Sequence, residues 1–437
     1  FIRIHAVDAT LLGAPLSTGP AMDIVLSKRL TELRRASDRL QQISSHDALF
    51  LLKASCGAPK LLHVLRAAPC TGHATLGAID NTLRSCLTVI ANVNLTDIQW
   101  AQATLPVKSG GLGLRSSSNL ALSTFLASAT STQPLQQQLL RNCLVVPDLH
   151  FDNLVTRWTT ANQPSPTPSG AAACKQRSWD SPSVDATLAS VLASQIDDHS
   201  RARLLAASAP HSGDWLHALP LSACGLRLDD EAIRVAVCLR LGINLCDPHK
   251  CPCGAQVDSR GTHGLSCKHS LGRLPRHAYI NDLVHRALIR AGIPAHKEPA
   301  GLFRSDGKRP DGLTLVPWSA GKSVLWDVTV IDTLAQSYLP STSTSAGSAA
   351  EIAALRKEDK YASATANYTF IPIALETLGA IGTKATSFLR ELGRRLSLAT
   401  DDPRETAFLF QRLSVALQQY NAVCFRGSFL ETLLLTD

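Results

Sequence analysis

Between Asp23 and Leu40 the apolar residues Leu26, Leu30, Leu33 and Leu40 recur at three- and four-residue intervals. That spacing lines one face of a helix, with Asp23 as its cap. Patterning of this kind makes residues 1–160 read as helical, and helices resume over 183–245. Past that point the period changes. "HAYINDLVHRALIRAG" is a helix ended by Gly292, and "IPAHKEP" is a short strand carrying Glu298. "PDGLTLVPW" and "SVLWDVTVI" then alternate as two strands of a hairpin that turns through Ser319, Ala320 and Gly321. A helix, "EIAALRKEDKYASATANY", follows a Ser/Thr/Gly-rich loop.

Two stretches break the periodic pattern. "LPVKSGGLGLRS" has the glycines of a turn or a close backbone approach, but not the spacing or the Lys-Ser/Thr ending of a phosphate loop. "ANQPSPTPSGAAAC" alternates prolines with small polar residues and reads as a linker. The expected organisation is a helical region over 1–160, a linker over 161–182, helices over 183–245, a metal knuckle over 246–270, an α/β domain over 271–400 and a helical tail over 401–437.

With 437 residues, 45% hydrophobic and 18% charged, the chain can bury the cores of two or three domains. No apolar run approaches the roughly 18 residues a membrane helix needs, because "CLTVIANVNL" stops after ten, so no membrane partner is expected. The chain opens on Phe1 without the pattern of a secretion signal, and a fragment of a longer polypeptide is expected. The net charge of +8 leans toward a polyanionic partner. Lys28, Arg29, Arg34, Arg35 and Arg39 cover the polar side of the first helix, either as a solvated face or as a surface lying along a nucleic-acid backbone.

Most of the twelve cysteines are scattered in apolar helical context, as buried thiols would be. Cys246, Cys251, Cys253 and Cys267 instead crowd together in "CDPHKCPCGAQVDSRGTHGLSCKHS". Cys251, Cys253, His263 and Cys267 offer three thiolates and an imidazole, a tetrahedral zinc set. The one-residue gap between Cys251 and Cys253 is shorter than usual, which leaves Cys246 or His249 as substitutes and His269 and His277 as further candidates. Four protein ligands leave no open position, so such a zinc is structural.

Strand periodicity puts Asp327 on the face of Leu325, Thr329 and Ile331, with Trp326, Val328 and Val330 on the other. Asp311 on the paired strand converges with Asp327. Two carboxylates in one cleft repel unless they share a cation, and magnesium with a phosphate among its ligands meets that need. Lys357, Lys360, Tyr361 and Ala364 share one face of the next helix, where a lysine can orient water or offset phosphate charge. The plainer alternative is a capping Asp311, an Asp327 in an edge-strand salt bridge and two solvated lysines. Between Lys268 and Arg309 nine Lys or Arg residues face only three acids, which makes this the basic side of the domain.

The ordered set of knuckle, "KRPDG", "WDVTV" and "RKEDKY" resembles the restriction-like endonuclease of non-LTR (LINE-type) retrotransposon polyproteins, of the PD-(D/E)xK superfamily. "LLGAPL", "KLLHVLRAAP" and "LPVKSGGLGLR" are similar to the segment after the reverse-transcriptase palm. The resemblance implies an α+β multidomain chain: a thumb- or connection-like helical region, a zinc knuckle, and an α/β endonuclease with a mixed central sheet. It further implies that Asp311 and Asp327, helped by Glu298, hold Mg2+, and that Lys357 or Lys360 positions water. Thr329 stands where the superfamily has its lysine. Tyr361, Lys268, Arg273, Arg276, Lys308 and Arg309 would hold the backbone of double-stranded DNA. Nicking of nuclear DNA to prime copying of the element's RNA is the implied activity. No aromatic-x-Asp-Asp polymerase motif occurs. The alternatives are a nucleic-acid-binding relic without cleavage and a stand-alone repair nuclease.

Overall fold

The structure, a computed structural model, describes residues 5–140, 148–299, 309–362 and 367–429. It is α+β and divides into two compact units, Phe1–Pro106 with Leu112–Ser194, and Val107–Gly111 with Gln195–Asp437.

Among its described residues, unit 1 has one small hairpin, β1 (Thr10–Leu11) with β2 (Ala14–Pro15), and is otherwise built of helices and their connections. It contains α1 (Pro20–Leu40), α2 (Ser45–Leu51), α3 (Ala58–Ala67), α4 (Ala74–Ala91), α5 (Asp97–Thr104), α6 (Ser117–Leu140), α7 (Leu149–Ala161), α8 (Gly170–Ala173) and α9 (Gln176–Ala193). Leu26, Leu33 and Leu40 are buried as their spacing predicts. Asp23 is not the cap: Pro20 starts α1, and the Asp23 carboxylate meets His73 at 2.8 Å. The first-turn amides of α6 are satisfied from α4, where buried Asp80 accepts the N–H groups of Ser117 and Ser118 and two serine hydroxyls. α2, a π-turn and α3 run on as one helical stretch, Ser45–Ala67, which by length and composition is apolar enough to cross a membrane; no sequence run showed this. Leu49, Leu52, Leu61, Val64 and Leu65 along it are buried.

The proline-rich stretch is not a free linker. Its second half forms α8 and leads into α9, and these pack back on α7 through Trp158 and Trp179, edge to face at 5.0 Å. The Trp158 indole N–H donates to the Trp179 carbonyl and that of Trp179 to Ala173. Two large aromatics with satisfied polar tips outweigh the local turn propensity of the prolines.

Unit 2 comprises α10 (Asp198–Ala207), α11 (Asp230–Leu241), β3 (His249–Lys250), β4 (Gln256–Val257), α12 (Arg273–Arg290), β5 (Ala295–Lys297), β6 (Gly312–Thr314), β7 (Ser323–Ile331), α13 (Leu339–Thr342), α14 (Ser348–Lys360), β8 (Tyr368–Glu376), α15 (Thr383–Thr400) and α16 (Glu405–Arg426). Its four-stranded sheet is mixed, in the order β5-β6-β7-β8, antiparallel except for the parallel β7–β8 pair. The β6–β7 connection turns at Ser319–Lys322 with Ala320 at φ 47° and Gly321 at φ 72°, the left-handed pair that a tight hairpin turn requires.

Val324, Trp326 and Val328 face a core made with Ile280 and Val284 of α12, Phe388 and Leu392 of α15, and Leu409 and Leu413 of α16. α16 is therefore a core element and not a tail. The opposite face carries Leu325 with Tyr361 and Phe370, and Ile331 with Ala350 and Ala354. The expected helix over 351–368 stops at Lys360, and Tyr368 already opens β8. The β-branched and aromatic "YTFIPI" pairs in parallel with β7 there, so sheet pairing overrides helical continuation. Ala364 lies outside the described residues.

Candidate functional site

Two clusters of chemistry-bearing side chains lie in unit 2. The first is the knuckle. β3 and β4 form a two-stranded ribbon, with Gly254 at φ 90° turning "CPCG" so that the Cys251 N–H reaches the Ala255 carbonyl at 2.9 Å. A tight helical turn, Thr262–Leu265, carries His263, and the Cys267 N–H closes on its carbonyl at 3.0 Å. The ligand atoms of Cys251, Cys253, His263 and Cys267 all lie within 4.8 Å of one another. The Cys251 and Cys267 sulfurs are 3.8 Å apart, and Cys253 Sγ is 3.2 Å from His263 Nε2. Zinc–thiolate bonds of about 2.3 Å at tetrahedral angles put sulfurs about 3.8 Å apart, so the donor set fits a metal such as zinc.

The N–H of Ala255 draws the Cys253 thiol down to about 6, whereas burial pushes Cys251 up. Cys246 is not part of this cluster; its thiol faces the carbonyls of Asp258 and Ser259. His249 stacks on Phe429, and His269 is exposed.

The knuckle is seated on the last turns of α16. A methyl at Gly264 would lie 2.6 Å from the Cys424 carbonyl oxygen, at Gly261 2.6 Å from Phe425 and at Gly272 2.6 Å from Cys424 Sγ. Glycine at these three positions permits contact closer than any side chain allows.

The second site lies on the sheet. Asp327 points from β7 toward α14, is 5% exposed, and accepts the Lys357 ammonium at 2.6 Å and the Tyr361 hydroxyl at 3.0 Å. Burial raises its pKa; Lys357 opposes that rise and the Asp311 charge adds to it. Asp311 stands just before β6, not within it. Its Oδ2 accepts the Val328 N–H at 2.6 Å and lies 3.0 Å from His277 Nε2. The Asp311 carboxylate raises the pKa of His277. Asn281, one turn on from His277, donates to the Asp311 carbonyl at 3.3 Å and accepts the Trp326 indole N–H at 2.8 Å. α12 thus holds the loop before β6 against β7.

From the expected set the structure brings Asp327, Lys357 and Tyr361 into contact, while Asp311 bonds the amide of Val328, the residue after Asp327, and its charge acts on Asp327. It separates the two lysines, since Lys360 is exposed on the last turn of α14 while Lys357 reaches the carboxylate. Glu298, at φ 48°, gives only its backbone N–H to Asp311, and its carboxylate pairs with Arg309. Tyr361 is 5% exposed and stacked on Phe370, so its ring does not face a DNA backbone. Arg276 is 2% exposed and donates to the Asn421 side chain and the Leu265 carbonyl, which removes it from the set of nucleic-acid contacts. Lys268, Arg273 and Arg309 are exposed, and Lys308 lies outside the described residues.

His277, expected only as a spare zinc ligand, and Asn281, not singled out at all, belong to this site. Their signal was present: polar residues at i and i+4 on the face that carries Ile280 and Val284 into the core. No protein-family model and no curated protein matches the chain.

Proposed function

We propose that unit 2 is a magnesium-dependent DNA endonuclease, part of a retrotransposon reverse-transcriptase polyprotein, that nicks double-stranded DNA in the nucleus to prime copying of the element's RNA. The observation that carries this reading is the buried Asp327 carboxylate with the Lys357 ammonium at 2.6 Å and the Asp311 charge close by. Two acids in mutual range, one held against desolvation, suit a hard divalent cation. Bound there, Mg2+ would acidify a water and polarise a phosphodiester.

The residues of the chain supply the rest. Asp311 and Asp327 would hold the ion, with the Val328 amide and His277 fixing Asp311. Lys357 offsets charge on the phosphate and orients the attacking water, and Tyr361 keeps Asp327 aimed. Exposed Lys268, Arg273 and Arg309 attract the duplex. The knuckle metal is structural.

Relaxation of supercoiled plasmid with magnesium tests the reading. The wild-type chain is expected to nick, Asp311→Ala and Asp327→Ala to abolish nicking, and Lys357→Ala to slow it by roughly 10²–10³-fold. A chain that binds duplex DNA yet leaves the plasmid closed at every magnesium concentration is a binding module, and nicking that survives both aspartate substitutions overturns the site.

A further inference from the structure

The carboxyl ends of the parallel strands carry a second pair of acids that the proposed chemistry does not use. Asp332 follows β7, and Glu376 is the last residue of β8. Glu376 is fully buried. Its Oε1 accepts the backbone N–H groups of Ala349 and Ala350 at 3.0 and 3.2 Å. These are two of the first amides of α14, which have no partner within a helix. Gly347 at φ 80° leads into α14 and has no side chain to cap it, so the cap comes from the strand.

Glu376 is itself held fast. Its N–H donates to the Ala380 carbonyl at 2.8 Å, and the N–H of the next residue, Thr377, donates to Ile331 at 2.8 Å. The Thr377 hydroxyl donates to Asp332, and its carbonyl accepts from Asn421. Asn421 accepts from Arg276, which also holds the Leu265 carbonyl inside the knuckle. Glu376 thus adjoins, through its chain neighbour Thr377, a buried polar chain that reaches the knuckle.

The face that α14 buries is made of Ala349, Ala350, Ala353 and Ala354. Methyl groups let the helix lie close to the sheet but resist sliding along it weakly. The polar cap must therefore set its axial position. Lys357 follows the capped amides by seven or eight residues, about two turns.

We infer that Glu376 is the positioning residue for Lys357: it fixes the start of α14 at the strand ends so that the ammonium meets Asp327 two turns later. This rests on the reading of Asp327 and Lys357 as groups of the reacting site. Glu376→Ala removes the cap, Glu376→Asp withdraws the carboxylate by one methylene, and Glu376→Gln keeps an oxygen at the same reach. With saturating plasmid and magnesium, single-turnover nicking should fall roughly 10²-fold for the Ala and Asp variants, stay within about 3-fold for Gln, and leave duplex affinity unchanged. Adding Glu376→Asp to Lys357→Ala should cost no further rate. An Asp variant that nicks at the wild-type rate, or losses that multiply in full in the double variant, overturn the inference. Should Glu376→Ala fail to fold, the Asp and Gln variants decide. Should the wild-type chain not nick, the proposed function falls, and hydrogen exchange over 348–360 decides the cap. Protection lost there alone in the Asp variant supports it, and unchanged protection removes it.

Discussion

At Gly312 one missing methyl group lets the sheet close over Trp326. The two residues are directly opposite in the β6–β7 register, and a Cβ at 312 would lie 1.9 Å from the indole ring. Trp326 cannot yield, because it is fully buried and its N–H is bonded to Asn281. Gly312→Ala is therefore expected to destabilise unit 2 by about 3 kcal/mol, the upper part of the range for overpacking. The loss would appear as a lower urea midpoint with an unchanged slope; a variant as stable as wild type would mean that the strands separate freely here. At this scale the sequence was legible where backbone geometry alone decides. Period-two alternation assigned Asp327 and Trp326 to opposite faces, and the Ala320-Gly321 turn was in view. It was not legible where a distant partner decides. Arg276 looks like surface charge until Asn421, far along the chain, accepts its hydrogen bond in the core. Tyr361 looks like a DNA contact until Phe370 stacks on it.

Among the elements, the knuckle and α16 illustrate a coupling that local pattern does not announce. The Cys/His cluster was readable from crowding and donor type, but the surface it docks on was not, because Gly261, Gly264 and Gly272 carry no apolar signal. A knuckle of this size has little core of its own, so a metal bound to the Cys251, Cys253, His263 and Cys267 set would provide much of its folding free energy. Its close seat on Cys424 and Phe425 passes part of that constraint to the end of α16. Cys267→Ser, or chelation of the metal, should abolish metal stoichiometry. Hydrogen-exchange protection should then fall over 246–270 and also over 414–426. Loss confined to the knuckle would show that α16 holds without it. The same physics explains the misread elements. Prolines mark a turn, yet Trp158 and Trp179 gather the flanking helices around it. The expected helix ran on to Tyr368, the first residue of "YTFIPI", whose fate is set by pairing with β7.

For the molecule as a whole, the segment 107–111 belongs to unit 2 although it interrupts the sequence of unit 1. Arg240 is what uses it. Its buried guanidinium donates to the carbonyls of Gly111 at 3.0 Å and Val107 at 2.7 Å. Burial and the neighbouring Arg203 charge hold Arg240 below its ordinary pKa, so this cation is desolvated at some cost. The glycines allow the loop in: a methyl at Gly110 would lie 2.6 Å from Ser208 Oγ. A fragment of residues 195–437 lacks those two carbonyls and opens the guanidinium to water. In the full chain Arg240→Met breaks charged hydrogen bonds and leaves both carbonyls without that donor, a loss of about 2 kcal/mol. In the fragment the same substitution breaks neither bond and should be close to neutral. Urea unfolding of the four proteins, followed by circular dichroism, measures the difference between the two effects. Equal losses in both backgrounds would mean that the segment contributes nothing to Arg240, and that unit 2 begins, in energy, at Gln195.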